Sequence, residues 1–274
     1  MPYEHRRLHV NGFLTHFLEA GTGEPLVLLH GGEFGASAEL AWERVIGELA
    51  KTRWVIAPDV LGFGESAKVH DFTEGRRMRI RQVADLLRQL GVQEADFVGN
   101  SMGGQMLLVD ASSERPLLPI RRMVVICGGG DTVPNEHMAA LYDYDGTLPA
   151  MRKIVTALFH SPSFPADDEY VKRRYESSVA PGAWEAVAAA RFRRPNRADS
   201  GPKENPQLER IGVPTLIVEG EFDKLKPKGW AAELAARIPG ARSVVVSNCG
   251  HCPQIEQPEE TLRILRDFLE LGPA

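Results

Sequence analysis

Cysteine is scarce in this sequence: Cys127, Cys249 and Cys252 are the only three in 274 residues. An odd, sparse set cannot form the disulfide framework of a small secreted domain and suits a reducing compartment. Long hydrophobic runs are missing too, since none approaches the roughly 18 residues of a membrane span. The first ten residues lack the basic stretch and apolar core of a secretory signal. Positive charge is not in excess: 32 Lys and Arg stand against 37 Asp and Glu, a net charge of −5. Nucleic-acid binding needs a basic face, so that partner class is disfavoured. No internal repeat or low-complexity tract is present. These absences predict a soluble, cytoplasmic protein with no membrane and no nucleic-acid partner; oligomeric state stays open, a homo-oligomer included. What is present is an ordinary globular mixture, 43% hydrophobic and 25% charged. A chain of 274 residues is long for one domain and short for two, so one large core with an insertion is expected.

Patterning along the chain supports this. Phe13–Ala20 reads as an opening antiparallel strand. Pro25–Leu29, Trp54–Ala57, Ala95–Val98 and Met123–Ile126 are short apolar runs, the look of strands buried on both faces. Helical spacing of apolar residues over 40–49 and 77–90 falls between them, and a strand–helix alternation of this kind predicts a parallel sheet wrapped by helices. From 132 to 205 strand-like runs vanish. Three helical segments, 148–159, 167–177 and 182–191, are rich in Arg and aromatics and punctuated by prolines. Alternation then resumes with strands at 214–218 and 243–246 and helices at 229–237 and 259–271. The expected division is a core of 1–131 and 206–274 with a helical insertion at 132–205.

The chain is organised around Gly99-Asn100-Ser101-Met102-Gly103-Gly104, set between a strand and a helix. A serine on such a sharp turn takes a strained backbone, so the residues two away on either side must lack a Cβ. The turn also places the hydroxyl near a helix N-terminus, which favours developing negative charge. A serine hydroxyl needs a base, and the base needs an orienting group. Loops at the carboxyl ends of parallel strands converge on one rim. The loop after strand 214–218 supplies Asp223, and the loop after 243–246 supplies His251. Asp131, after strand 123–126, is the alternative acid; Glu219 and Glu221 lie closer to their strand end. Asp59 reads as a structural brace for the turns at Gly62 and Gly64. Backbone N–H groups serve well as oxyanion donors, because they are fixed before reaction begins. Met102 would supply one and Gly32, in the loop after strand 25–29, the other.

His30-Gly31-Gly32, Asp59 with Gly62, Gly64 and Ser66, the Ser101 turn, Gly220 with Asp223, and Gly250-His251 with Glu256, Pro258 and Glu259 together resemble the α/β-hydrolase superfamily over nearly the whole chain. The resemblance implies an α/β fold: a mostly parallel eight-stranded sheet flanked by helices, with a helical lid. Asn-Ser-Met-Gly-Gly at the turn is similar to the meta-cleavage-product hydrolases, which split carbon–carbon bonds in vinylogous 1,5-diketone acids from aromatic ring cleavage. That likeness implies substrate contacts from Asn100 and Gly31, and from Arg174, in Arg174-Tyr175-Glu176, to a substrate carboxylate; a two-pronged guanidinium suits that task. The residue reading alone leaves Arg174 equally open as a solvated charge of the run Lys172-Arg173-Arg174. The chain departs from the family pattern at Cys252, where tryptophan is common, at Glu33, where a third glycine is usual, and near Trp42-Glu43-Arg44, where an asparagine is missing. The implied activity is hydrolysis of a small-molecule substrate, a carboxylated dienone, with a carboxylesterase or lactonase, or a non-catalytic ligand receptor, as alternatives. Dehalogenases and epoxide hydrolases want aspartate at the position of Ser101. Phe159, Phe164, Tyr175, Trp184 and Phe192 are the expected pocket lining.

No metal or cofactor is expected. Cys249 and Cys252 form one C-x-x-C, but a closed zinc site wants a second spaced pair, and a redox pair wants an early helix N-terminus. Gly128-Gly129-Gly130 lacks dinucleotide spacing. Arg191-Phe192-Arg193-Arg194 reads as a solvated helix end.

Overall fold

Runs such as Leu26-Val27-Leu28-Leu29 and Val124-Val125-Ile126, apolar at every position, need a sheet covered on both faces. The computed structural model, which describes residues 3–191 and 206–270, buries all seven of them in such a sheet. Its strands are β1 (Glu4–Val10), β2 (Phe13–Ala20), β3 (Glu24–Leu29), β4 (Arg53–Pro58), β5 (Ala95–Asn100), β6 (Ile120–Ile126), β7 (Thr215–Gly220) and β8 (Arg242–Val246). They lie in the order β1-β2-β4-β3-β5-β6-β7-β8. The β1–β2 and β2–β4 pairs are antiparallel, and every later pairing is parallel. The chain leaves β3 for β4 on one side and returns to β5 on the other, a reversal that opens a crevice at the carboxyl ends of β3 and β5.

The expected α/β fold with eight strands is what forms. The β1 strand had no signal of its own: Glu4, His5, Arg6 and Arg7 are exposed, as befits an edge strand kept from pairing outward. Helices on the core are α1 (Ala38–Trp42), α2 (Ile46–Leu49), α3 (Arg76–Gln89) and α4 (Met102–Ala111). The single helix expected over 40–49 is thus two short ones, interrupted at Glu43-Arg44-Val45. Between β6 and β7 come α5 (Glu136–Tyr142), α6 (Leu148–Leu158), α7 (Ser163–Ala166), α8 (Asp168–Val179) and α9 (Ala183–Ala189). Of these, α5 and α7 were not expected: α5 buries no residue, so it has no apolar stripe to read, and α7 is a four-residue turn containing Pro165. Then α10 (Trp230–Ala235), α11 (Pro253–Glu256) and α12 (Pro258–Glu270) complete the chain. The end of the 132–205 insertion, Phe192, the rest of the basic run after Arg191, and Leu271 at the end of the expected closing helix fall outside the described residues.

Two local constraints fix where the sheet ends and the turn begins. Ser101 has φ 51° and ψ −110°. A Cβ on Gly99 would lie 2.5 Å from the carbonyl carbon of Gly103 and the nitrogen of Gly104, and one on Gly103 would strike the Leu29 carbonyl oxygen. At the opposite end of β5, fully buried Asp96 takes hydrogen bonds from Arg53 at 2.8 Å, Arg121 at 2.9 and 3.0 Å and Arg122 at 3.0 Å, which clasps β4, β5 and β6. Burial pushes its pKa up, but the hydrogen bonds from Arg121 and Arg122 outweigh this and hold it below the ordinary range.

Gly99→Ala is expected to lower the unfolding free energy by about 2–3 kcal/mol. Gly212→Ala, where a Cβ meets nothing within 4 Å, should change it by less than about 0.5 kcal/mol; urea titration measures both. Asp96→Asn should cost about 3–5 kcal/mol near neutral pH, because it leaves arginine charge unpaired. A depressed carboxyl stabilises the fold above its unfolded pKa and ceases to as pH falls through its folded one. The gap between wild type and Asp96→Asn should therefore close on acidification; a gap that persists below both values contradicts the assignment.

Candidate active site

Three strand ends deliver three side chains to one point. Ser101 follows β5, Asp223 lies just past β7, and His251 sits in the loop after β8. The His251 imidazole Nε2 is 2.8 Å from Ser101 Oγ, and its Nδ1 is 2.7 Å from Asp223 Oδ2. A carboxylate only accepts, so Nδ1 carries the proton and Nε2 is left as an acceptor toward the hydroxyl. Burial raises the Asp223 pKa, but the charge and hydrogen bond of His251, with the Leu225 N–H at 2.9 Å on Oδ1, keep it below the ordinary range. Asp131 is exposed, and it is its backbone oxygen, 3.3 Å from Lys226 Nζ, that makes a contact. Glu219 instead accepts from Gly229 and Ala231 N–H at the start of α10, and Glu221 from Asn248 N–H.

The histidine is held from behind by groups the sequence did not single out. Its N–H donates to the Leu158 carbonyl at 2.7 Å, at the end of α6. Glu256 accepts from Gly250 N–H at 2.7 Å, from His160 N–H at 3.2 Å and from Ser161 N–H. Lys224, next to Asp223, donates to the Thr156 and Phe159 carbonyls at 2.7 and 2.8 Å. Only Glu256 had shown in the sequence, as part of the family pattern.

Gly32 and Met102 come together across the crevice: a Cβ on Gly32 would be 2.9 Å from Met102 Cβ and Sδ. Among the described residues neither N–H donates to a protein acceptor, which leaves both available. The loop that carries Gly32 is pinned by His30, fully buried, whose Nε2 accepts from Val60 N–H at 3.0 Å while Nδ1 donates to the Gly31 carbonyl at 2.6 Å. Burial lowers the His30 pKa, consistent with a neutral ring. Asp59 accepts from Ala38 N–H and Glu65 N–H at 2.7 Å and pairs with His16 at 2.7 Å, and a Cβ on Gly64 would collide with it. It is a brace, as expected.

The three expected substrate contacts, Arg174, Asn100 and Gly31, each have a partner within the protein. Arg174 is not a solvated charge: it is 1% exposed. Its Nη1 donates to Glu33 Oε1 at 2.8 Å and its Nε to Tyr170 Oη at 2.9 Å. Burial raises the Glu33 pKa, but the charge and hydrogen bond of Arg174 pull it below the ordinary range. Glu33 folds back over Gly31, where a Cβ would meet its carboxylate. Asn100 is buried; its amide donates to the Ile126 carbonyl at 3.2 Å and the His251 carbonyl at 3.1 Å, so it braces the base loop against β6. Phe159 stacks on Phe164 with centroids 4.1 Å apart, and Tyr170 meets both edge-on. Trp184 lies stacked 6.2 Å from Phe34, which also contacts Tyr144. Tyr170, Phe34 and Tyr144 belong to this aromatic shell but carried no sequence signal beyond their composition.

Cys127, Cys249 and Cys252 are buried free thiols. Burial pushes the Cys127 and Cys252 thiols well above their ordinary range. Cys127 Sγ, an Asp223 carboxylate oxygen and a His251 ring nitrogen lie within 4.8 Å of one another. A metal there would compete with the Asp223–His251 hydrogen bond.

Residues 26–264 match the alpha/beta hydrolase family. The chain is 32% identical over 267 residues to a 2-hydroxymuconate semialdehyde hydrolase of Pseudomonas sp. (strain CF600), covering 96% of this chain and 93% of that one. It is 33% identical over 272 residues to a 2-hydroxy-6-oxo-6-(2'-aminophenyl)hexa-2,4-dienoic acid hydrolase of Metapseudomonas resinovorans, covering 97% and 91%. Among solved structures, a meta-cleavage product hydrolase from Pseudomonas fluorescens IP01 superposes with a TM-score of 0.84 at 27% identity, over 97% of both chains. No helix among the described residues is long and apolar enough to cross a membrane. With its sheet order, its serine turn and these relatives in view, the chain belongs to the alpha/beta hydrolase family and is an enzyme with hydrolase activity.

Proposed function

We propose that this enzyme hydrolyses a carbon–carbon bond beside a carbonyl in a carboxylated dienone formed by aromatic ring cleavage. The observation that carries the reading is the unbroken chain of hydrogen bonds from Asp223 through His251 to Ser101, opposite two available N–H groups. Relatives named for hydrolysis of hydroxy-oxo-dienoates support the bond type. Ser101 Oγ attacks the carbonyl carbon as His251 Nε2 takes its proton. The oxyanion is held by Gly32 and Met102 N–H, and Asp223 stabilises the imidazolium. In the keto tautomer of the hydroxydienone, where the carbon beside that carbonyl is a saturated methylene, collapse breaks the adjacent carbon–carbon bond; the electron pair leaves as a conjugated dienolate and takes the proton from His251. Water, activated by the same base, then releases the acyl group as a carboxylic acid. The described part of the insertion, residues 132–191, acts as a lid, with Phe159, Phe164, Tyr175 and Trp184 lining its underside. Three buried free thiols suit the cytoplasm.

One observation favours carboxylesterase or lactonase chemistry as the second reading: Glu33 already occupies the arginine that the family pattern assigns to the substrate acid. The chemistry up to the acyl-enzyme is shared, so the substrate discriminates. Loss of the yellow dienolate colour on adding enzyme supports carbon–carbon fission; cleavage of p-nitrophenyl esters alone overturns it. A fluorophosphonate probe should label Ser101, and an unlabelled folded protein would point to a ligand receptor.

Ser101→Ala should bind substrate and lose turnover by about 10⁴-fold or more. Asp223→Asn should lose roughly 10³- to 10⁴-fold in kcat, by analogy with triads whose acid is removed. Asp131→Asn should stay within about twofold, since an exposed side chain away from the imidazole has little leverage. Steady-state kinetics on one substrate decides all three, and the reverse ranking of the two aspartates moves the acid to Asp131.

A further inference from the structure

Two arginines flank the site in opposite electrostatic states. Arg174 has a resident counter-ion in Glu33, and both side chains are buried. Arg79, on α3, has no carboxylate partner among the described residues. Its Nε donates to the Leu61 carbonyl at 3.1 Å, its Nη1 reaches only the Met102 sulfur at 3.4 Å, and its guanidinium lies 5.1 Å over the Phe63 ring. Nη2 is buried with no hydrogen-bond partner. Burial, with Arg76 pushing the same way, lowers its pKa to about 10. A thioether is a weak acceptor on a flexible stem, so the strongest donor beside the serine turn is left with a poor partner. A desolvated charge in that state is costly until an anion meets it.

The position matters as much as the charge. Met102 follows Ser101, and its sulfur lies over Gly32, 2.9 Å from where a Cβ would be. Arg79 is therefore one methionine side chain away from the two N–H groups assigned to the oxyanion. A conjugated chain with its carbonyl at those groups can put its acid end on the guanidinium once the Met102 side chain turns aside. We propose that Arg79, and not Arg174, receives the carboxylate of the substrate, and that Glu33 keeps Arg174 closed to it. This rests on the reading of the substrate as a carboxylated dienone, and it changes which residue reads the acid. The Glu33–Arg174 pair stays neutral throughout, while the incoming carboxylate neutralises Arg79 through two parallel hydrogen bonds.

The test uses p-nitrophenyl acetate hydrolysis by the full chain, inhibited competitively by sorbate (2,4-hexadienoate) or by its neutral analogue 2,4-hexadien-1-ol. The readout is the ratio of the two inhibition constants, which a general loss of structure does not mimic. In the wild type sorbate should bind more tightly than the alcohol. Arg79→Met should shrink that preference by roughly 10- to 100-fold, the size of a lost hydrogen bond to a charged group. Arg79→Gln provides the same reading if the Met variant does not fold, and Arg79→Lys should keep part of the preference. Glu33→Gln strips Arg174 of its counter-ion and should raise the preference by roughly 10-fold, the size of a hydrogen bond to a charged group; an unchanged preference would overturn the role given to Glu33. An unchanged ratio in both Arg79→Met and Arg79→Gln would return the role to Arg174 and overturn the proposal. Sorbate inhibition through Arg79 without any dienone cleavage by the wild type would overturn the proposed reaction while supporting the assignment of Arg79.

Discussion

The left-handed backbone at Ser101 is the constraint on which the rest of the molecule depends. With φ at 51°, the chain turns from β5 into α4 so tightly that Gly99 and Gly103 nearly touch, and α4 begins against the carbonyl of Leu29. That contact brings the end of β3 beside the end of β5 and hence Gly32 beside Met102. The sheet order does the rest: β6, β7 and β8 follow β5 outward on one side, so the loops carrying Asp223 and His251 arrive in sequence along the rim. Strain at one residue is held in place by a core that buries β5 along its full length.

Buried charge is distributed with similar economy. Asp96 clasps the far end of the sheet, Asp59 the turn after β4, Asp223 the imidazole, and Glu33 the guanidinium of Arg174, each carboxylate satisfied by cationic groups or backbone N–H donors. Against this background Arg79 stands out: its guanidinium meets a backbone carbonyl, a thioether and a ring face, and no carboxylate among the described residues.

The serine, the histidine and the aspartate were legible in the sequence for a topological reason: parallel strands place their carboxyl-end loops on one rim, so loop residues far apart in the chain can be matched by strand order alone. The turn glycines were legible for a steric one. What could not be read were contacts that no period carries. Glu33 and Arg174 are 141 residues apart, and nothing in the run Lys172-Arg173-Arg174 says that a helix turns the third inward while the second pairs with Glu43 at the surface. The family likeness gave Arg174 a ligand from outside, whereas the loop residue that departs from the family supplies one from within. Elements with no buried stripe, such as α5 and the edge strand β1, escaped for the same reason: periodicity reports burial, and they have almost none.

The end of α6 is stitched to the loops that carry both Asp223 and His251. Leu158 takes the N–H of His251, Lys224 reaches Thr156 and Phe159, and Glu256 collects the N–H groups of His160 and Ser161. The helices between β6 and β7 are thus not an interchangeable module. Grafting that segment from a relative would transplant half of the scaffold that aims the imidazole. A chimera meant to exchange the lid would also shift the hydrogen bonds that join Asp223, His251 and Ser101, unless residues 156–161 stayed with their own core.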